Sequence, residues 1–136
     1  MLTRKGKYGL KAMILLAREH GQQPVLIGDL AEKEAIPKKF LENILLALKH
    51  RGLVRSRKGP HGGYLLSKTP DEISVGDIVR ALDGPLALVS CVSQTAYAPC
   101  EECVTEKDCA VRRMFQQVRD ETARILDGTT LAAAAR

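Results

Sequence analysis

The sequence predicts a mainly α-helical fold with one small β-hairpin: a winged helix-turn-helix followed by a long C-terminal dimerisation helix. Three observations predict it. Apolar residues recur at helical spacing through residues 4–50, interrupted at Gly21 and again at Ala35-Ile36-Pro37. Two short strand-like runs then flank the Gly/Pro-rich stretch 58–63. Finally, an apolar stripe of near-heptad spacing runs from Val111 to Leu126.

Taken in order, Thr3 is placed to cap a first helix over Arg4 to His20, with Leu10, Met13, Ile14 and Ala17 on its buried side. Gly21 ends it and Pro24 follows, as expected beyond a helix C-terminus. A short helix over 27–34 precedes a third that runs to His50, and Pro37 suits the first turn of that third helix. Phe40, Leu41, Ile44, Leu45 and Leu48 face inward from it. Two short helices joined by a tight turn form a helix-turn-helix. Residues 53–57 and 64–67 read as strands, and the turn between them makes a hairpin, which is the wing.

Ser74 opens a further helix with Val75, Ile78, Val79 and Leu82 inward, stopped by Asp83-Gly84-Pro85. An apolar bridge, residues 86–89, leads to a cysteine-rich segment, 91–109. The last helix then carries Val111, Met114, Phe115, Val118, Thr122, Ile125 and Leu126 on one face. A stripe on an otherwise isolated helix needs a partner, either the first helix or the same helix of a second chain. A homodimer is expected, because readers of this kind bind two-fold sites. The tail, residues 131–136, is helix-compatible and free to fray. The expected organisation is a DNA-binding domain over 1–83, a cysteine-rich loop over 84–109, and the dimerisation helix with its tail over 110–136.

Composition is ordinary for a globular chain: 136 residues, 45% hydrophobic and 27% charged, with an aliphatic core implied by the absence of Trp. No apolar run is long enough to span a bilayer and no signal-peptide pattern opens the chain, so a cytoplasmic location away from membranes is expected. Charge is divided unevenly. Residues 1–68 hold 14 Lys/Arg against 5 Asp/Glu, and residues 69–136 hold 7 against 11. A basic half beside a mildly acidic half fits a nucleic-acid surface coupled to a regulatory or assembly region. An enzyme is disfavoured, since the chain has no glycine-rich nucleotide loop after a strand and no nucleophile–base set in a recognisable frame.

All 4 cysteines fall at positions 91, 100, 103 and 109, a C-x8-C-x2-C-x5-C spacing. A reducing compartment argues against a disulfide framework. Clustered thiolates favour zinc or an iron–sulfur cluster. The Cys100-x2-Cys103 pair is also a redox-dithiol signal, and bare thiols that sense oxidants are a third reading.

The opening Leu2-Thr3-Arg4-Lys5-Gly6-Lys7-Tyr8-Gly9-Leu10-Lys11-Ala12-Met13, the wing Gly59-Pro60-His61-Gly62-Gly63-Tyr64-Leu65-Leu66 and its exit Ile73-Ser74-Val75-Gly76-Asp77-Ile78 form a distinctive set. Together they resemble one bacterial family, the iron–sulfur regulators of the IscR, NsrR and RirA type. The resemblance covers nearly the whole chain. It implies a homodimeric winged-helix transcription factor, with a 2Fe–2S or 4Fe–4S cluster in some members and none in others. The cluster-binding members carry three cysteines before the long helix, the last two separated by five residues. Cys103 and Cys109 reproduce that spacing, and Cys91 matches the first across a longer gap. Cys100 is additional; it completes an all-thiolate site within one chain or stands as a spare thiol. The fourth ligands used elsewhere in the family do not transfer, since Arg112 stands where some members have His and Lys7 where others have a carboxylate. Zinc in a four-cysteine site is the nearest competitor, and a second class of reading is a zinc-stabilised or cofactor-free interaction protein whose helix-turn-helix binds another protein.

The third helix is expected in the major groove of double-stranded DNA at a pseudo-palindromic operator, presenting Lys38, Lys39, Glu42, Asn43 and, at its edge, Ala47. Glu42 can accept from the cytosine amino group and Asn43 can pair with adenine. The resemblance assigns a glutamate at the position of Glu42 a part in sequence readout, while Pro37 and Lys39 replace small polar residues seen before it. Arg55, Arg57, Lys58 and His61 on the wing suit a narrow minor groove or its phosphates. Gly62 and Gly63 are expected to take positive φ and let the backbone approach closely. Arg4, Lys5, Lys7 and Lys11 are expected on phosphates. The plainer reading of these side chains is a solvated basic surface.

Overall fold

A computed structural model describes residues 2–136. Thr3 sets the start of α1 (Arg4–Arg18): its backbone is extended and its hydroxyl accepts the Gly6 N–H at 3.1 Å. α2 (Ile27–Glu34) ends on Ala35, which takes a left-handed φ of 53°. That conformation costs a residue with a Cβ, but it turns the chain so that the Ile36 N–H reaches Ala31 O at 2.9 Å and the Ile36 side chain enters the core. α3 (Lys38–His50) begins one residue later than expected. Pro37 stands just outside it, and its carbonyl accepts the Leu41 N–H at 2.9 Å.

β1 (Val54–Arg57) and β2 (Gly63–Leu66) pair antiparallel, with Val54 opposite Leu66 and Arg57 opposite Gly63. Val25, in the α1–α2 connection, extends this hairpin by exchanging two backbone bonds with Tyr64, 2.9 and 2.8 Å. A single residue carries no alternation of its own, so the sequence gives no sign of this bridge. α4 (Val75–Asp83) opens with a complete capping box between Ser74 and Asp77. α5 (Ala110–Asp127) and the short α6 (Leu131–Ala134) complete the chain.

Met13, Leu30, Leu41, Ile44, Leu45, Leu48, Ile73 and Ile78 are buried at the centre of α1–α4. Each such side chain contributes about 1.5–3 kcal/mol over an exposed one. Tyr8 and Phe40 meet edge to face at 5.6 Å and join α1 to α3. Two glycines set the approach of α1 to α4: a methyl on Gly9 would strike the Leu82 side chain, and one on Gly6 the Asp83 carboxylate. Asp83 in turn accepts from the Thr3 N–H at 2.9 Å and from the Thr3 hydroxyl.

The tail does not fray. Leu131 is fully buried in the core of α1–α4, its N–H donates to Ile73 O at 2.7 Å, and the Val75 N–H donates to Thr129 O at 2.9 Å. Arg18 Nε donates to Ala135 O at 3.0 Å. A run of small residues after one leucine looks solvated in sequence, yet the leucine is large enough to plug the core and carry the backbone with it.

α5 packs chiefly on α4 and on a 3-10 turn, Ser90–Val92. Of its residues Ala123 alone is fully buried, and Val111, Met114, Val118 and Ile125 are exposed. Leu10, Val79, Leu86, Leu88, Val118 and Leu126 line an open apolar groove of about 620 Å³ between α1, α4 and α5.

Candidate nucleic-acid interface and thiol cavity

α3 turns Leu41, Ile44, Leu45 and Leu48 to the core and leaves Lys38, Lys39, Glu42, Asn43, Leu46 and Lys49 exposed. The four readout candidates in the first half of the helix therefore share one solvent face. Ala47 is half-buried, and Leu46 takes the outward place instead at 52% exposure. An exposed leucine on a polar face was the signal available in the sequence; inward spacing of Ile44 and Leu45 already leaves Leu46 outside.

Arg57, Lys58 and His61 are exposed on the wing, with Arg55 on the same strand as Arg57. Lys49 Nζ donates to Ser56 Oγ at 3.0 Å, which ties the end of α3 to the wing. The wing glycines divide their tasks differently from expectation. Gly59 and Gly63 take positive φ, 106° and 143°, whereas Gly62 does not. Gly62 is buried, a Cβ there would meet the Arg57 carbonyl, and its N–H closes the turn onto Gly59 O at 2.9 Å. Lys5 is half-buried, while Arg4 and Lys7 are exposed. Lys11 is engaged elsewhere: its ammonium donates to Glu34 O at 2.6 Å and lies 3.8 Å from the Glu34 carboxylate. A cation there satisfies the negative end of α2, which sequence spacing does not reveal.

The cysteine segment has little regular structure, so side chains hold it. The Ser90 hydroxyl donates to Ala98 O at 3.0 Å, Ser93 Oγ accepts the Ala96 N–H at 2.9 Å, and the Tyr97 hydroxyl donates to Glu106. Cys91 is buried in the 3-10 turn against α5. Cys109 caps α5, its sulfur accepting the Arg112 N–H at 3.4 Å. Cys100 is exposed and donates to Glu102 at 2.9 Å. All four cysteines wall one open cavity of about 690 Å³, together with Val111 and Arg112. Burial pushes the Cys103 thiol up, and the charges of Cys109, Glu106 and Cys91 add to the shift. The Glu102 carboxylate pushes the Cys100 thiol up through their hydrogen bond. Arg112 Nε is buried with no hydrogen-bond partner among the described residues, on the same cavity wall.

Residues 2–136 match the Rrf2 family, described as an iron-dependent transcriptional regulator. The chain belongs to the Rrf2 family of transcriptional regulators. It is 41% identical over 134 residues to an HTH-type, rrf2-like regulator of Rhodobacter capsulatus, covering 96% of this chain and 89% of that one. It is 35% identical to the HTH-type regulator CymR of Bacillus subtilis, covering 96% and 86%. The structure of that CymR, described as a global cysteine regulator, superposes with a TM-score of 0.82 over 99% of this chain and 95% of the other. T. potens IscR superposes with a TM-score of 0.76 at 30% identity, over 98% and 85%. The winged-helix fold and the regulatory role expected from the resemblance are thus those of the family. Its members are regulators, not enzymes.

In this Rrf2 chain the donor set suits a thiolate-held group. Four soft sulfurs surround one cavity, and the unpartnered Arg112 Nε on its wall is a donor that a thiolate or another acceptor held there would satisfy. The sulfurs stand apart across that cavity: among the described residues no three His, Cys, Asp or Glu side chains are gathered closely enough to hold an ion. Binding would need the segment 91–109 to draw its cysteines closer together.

Proposed function

We propose that this Rrf2 regulator binds a pseudo-palindromic operator as a homodimer in the cytoplasm and senses iron, cluster status or redox and nitric oxide through a cysteine-ligated iron–sulfur cluster. The observation that carries the proposal is the position of the thiol cavity. It sits at the start of α5, whose far end is tied to α4 of the helix-turn-helix unit by Arg80 and Asp127. Cys91, Cys103 and Cys109 would hold the cluster, with Cys100 as fourth ligand. When bound, such a cluster supplies an electron-accepting, oxidant-sensitive group of two to four irons.

The chain's own residues do the rest. Cys109 joins the ligand loop to the first turn of α5, so a shift in the loop moves that helix. The open apolar groove and the exposed Val111, Met114, Val118 and Ile125 are where a second copy would pack. A change at α5 then alters the spacing of two α3 helices. Half-sites lie about one helical turn, roughly 34 Å, apart, so small changes in spacing change affinity. α3 would place Lys38, Lys39, Glu42 and Asn43 in the major groove, and Lys5 and the wing residues Arg57, Lys58 and His61 would meet the backbone or minor groove, while buried Gly62 shapes the turn that presents them.

The deciding experiment is purification without oxygen, followed by visible absorption and assay of iron and acid-labile sulfide per chain. Matching iron and sulfide with a visible band supports the cluster. A second reading is a zinc-stabilised or metal-free regulator that responds through its thiols or a ligand, and the separated sulfurs and the similarity to CymR favour its metal-free form. Stoichiometric zinc without sulfide, or no metal, would establish that second reading.

A further inference from the structure

We infer that Cys100 and Cys103 form an oxidisable dithiol, which a hydroperoxide converts to a disulfide within one chain. Three observations meet here. The two residues are the ends of one tight turn, closed by the Cys103 N–H donating to Cys100 O at 3.2 Å. A four-residue turn of this kind brings its end Cα atoms within about 7 Å, the range a disulfide spans. Both side chains wall the same cavity, so neither sulfur has to cross the fold to meet the other. Exposure differs in a useful way: Cys100 is exposed and Cys103 is half-buried, so an oxidant from solvent meets Cys100 first.

The chemistry balances with the hydroperoxide as oxidant. Cys100 Sγ attacks the terminal peroxide oxygen, and the O–O bond breaks. The departing alkoxide takes up the thiol proton through solvent and leaves as the alcohol, and Cys100 becomes a sulfenic acid. Cys103 Sγ then attacks Cys100 Sγ; the S–S bond forms, the S–O bond breaks, and water leaves with the Cys103 proton. Two thiols are oxidised and one peroxide is reduced. A Cys103 held in this disulfide cannot act as a thiolate ligand, so the oxidised chain stays closed to metal until a dithiol reductant opens it. The dithiol belongs to the thiol cavity but does not require the iron–sulfur assignment, and either can fail without the other.

The test treats the full chain, as purified and after anaerobic chelation, with tert-butyl hydroperoxide. Free thiols are then blocked with N-ethylmaleimide and the protein is digested with trypsin. Cleavage leaves Cys91, Cys100 and Cys103 in one peptide, residues 81–107, and Cys109 in another, 108–112. The expected product is 81–107 carrying one label, at Cys91, and an internal Cys100–Cys103 bond, with 108–112 fully labelled. Cys100→Ser, at an exposed position whose change spares the fold, should slow loss of the Cys103 thiol about tenfold or more, since the neighbouring thiol is gone. A bond from 81–107 to 108–112, a bond between two chains, labels retained on both Cys100 and Cys103, or unchanged loss of the Cys103 thiol in Cys100→Ser would each overturn the inference.

Discussion

Arg80 and Asp127 face each other as a two-bond fork, each guanidinium N–H donating to its own carboxylate oxygen at 2.8 Å. Arg80 belongs to α4 and Asp127 is the last residue of α5, so the fork fixes the long helix against the helix-turn-helix unit. Gly76 is part of the arrangement: a methyl there would strike the Asp127 carboxylate. The pair therefore sets the lever through which the cysteine cavity would act on α3.

Removing the charge while keeping the shape isolates this lever. Asp127→Asn should lower stability by about 1 kcal/mol at neutral pH, a value already reduced for the partial exposure of the carboxylate. The Arg80 hydrogen bonds hold the Asp127 carboxyl below the usual range. A depressed carboxyl stabilises the fold above its unfolded value of about 3.9 and loses that contribution as pH falls through the lower folded value. Urea titrations of both proteins should thus differ at pH 7 and converge in strong acid. A gap that persists unchanged at the lowest pH would assign the effect to packing instead.

The docked tail predicts a second effect on stability. Leu131 is fully buried among residues of α1–α4, and Leu131→Ala should cost about 2–5 kcal/mol by leaving a cavity. Gly, Ala or Ser in place of Arg136, at the exposed end, should change the midpoint of thermal unfolding little. Equal, small effects at both positions would show that the tail does not belong to the cooperative unit.

Local signals made much of this fold legible. Thr3, Ser74 with Asp77, and Gly84 mark helix boundaries through bonds that their own side chains or backbones make, and the structure uses them so. The wing is legible because two short strand-like runs flank a Gly/Pro turn directly after the helix-turn-helix. What escaped depends on distant partners. Ala35 adopts a left-handed φ only because Ile36 then enters the core. Lys11 reads as a surface cation until α2 delivers the Glu34 carbonyl to it. At the site, the cysteine spacing identified which residues gather around one cavity, but not that Cys100 would turn to Glu102, since that choice rests on a loop without periodicity.

Cysteine substitution separates the site from the fold. Cys103 is half-buried and Cys103→Ser keeps roughly the volume of the thiol, so helical content and the unfolding midpoint should hardly move. Bound iron and sulfide should fall to background in anaerobic preparations, because a hydroxyl is a poor ligand for a thiolate site. Retention of full iron and sulfide in this variant would exclude Cys103 from the ligand set.

On the wing, Arg57→Ala tests a phosphate contact. The side chain is exposed on β1 and has no ion-pair partner among the described residues, so its loss should leave folding unchanged. Affinity for any duplex should fall by a similar factor, and the slope of log K against log salt should become shallower by about 0.9 per chain. An unchanged slope would remove Arg57 from the interface.

Glu42 makes the opposite prediction, because a carboxylate repels phosphate and is useful only where it meets a base. Glu42→Ala removes an acceptor from the exposed face that α3 also lines with Lys38, Lys39 and Asn43. If Glu42 accepts from a cytosine amino group, the variant should lose about 1–3 kcal/mol of discrimination at one base pair in each half-site. Its affinity for non-cognate DNA should hold or rise, since a like charge has left the surface. Selection from a randomised duplex library reads both effects together. Relaxed preference at a single symmetric position places Glu42 over a base edge. A uniform gain in affinity with the preferred sequence intact would make it a solvated residue on a face whose readout falls to Asn43 and Leu46.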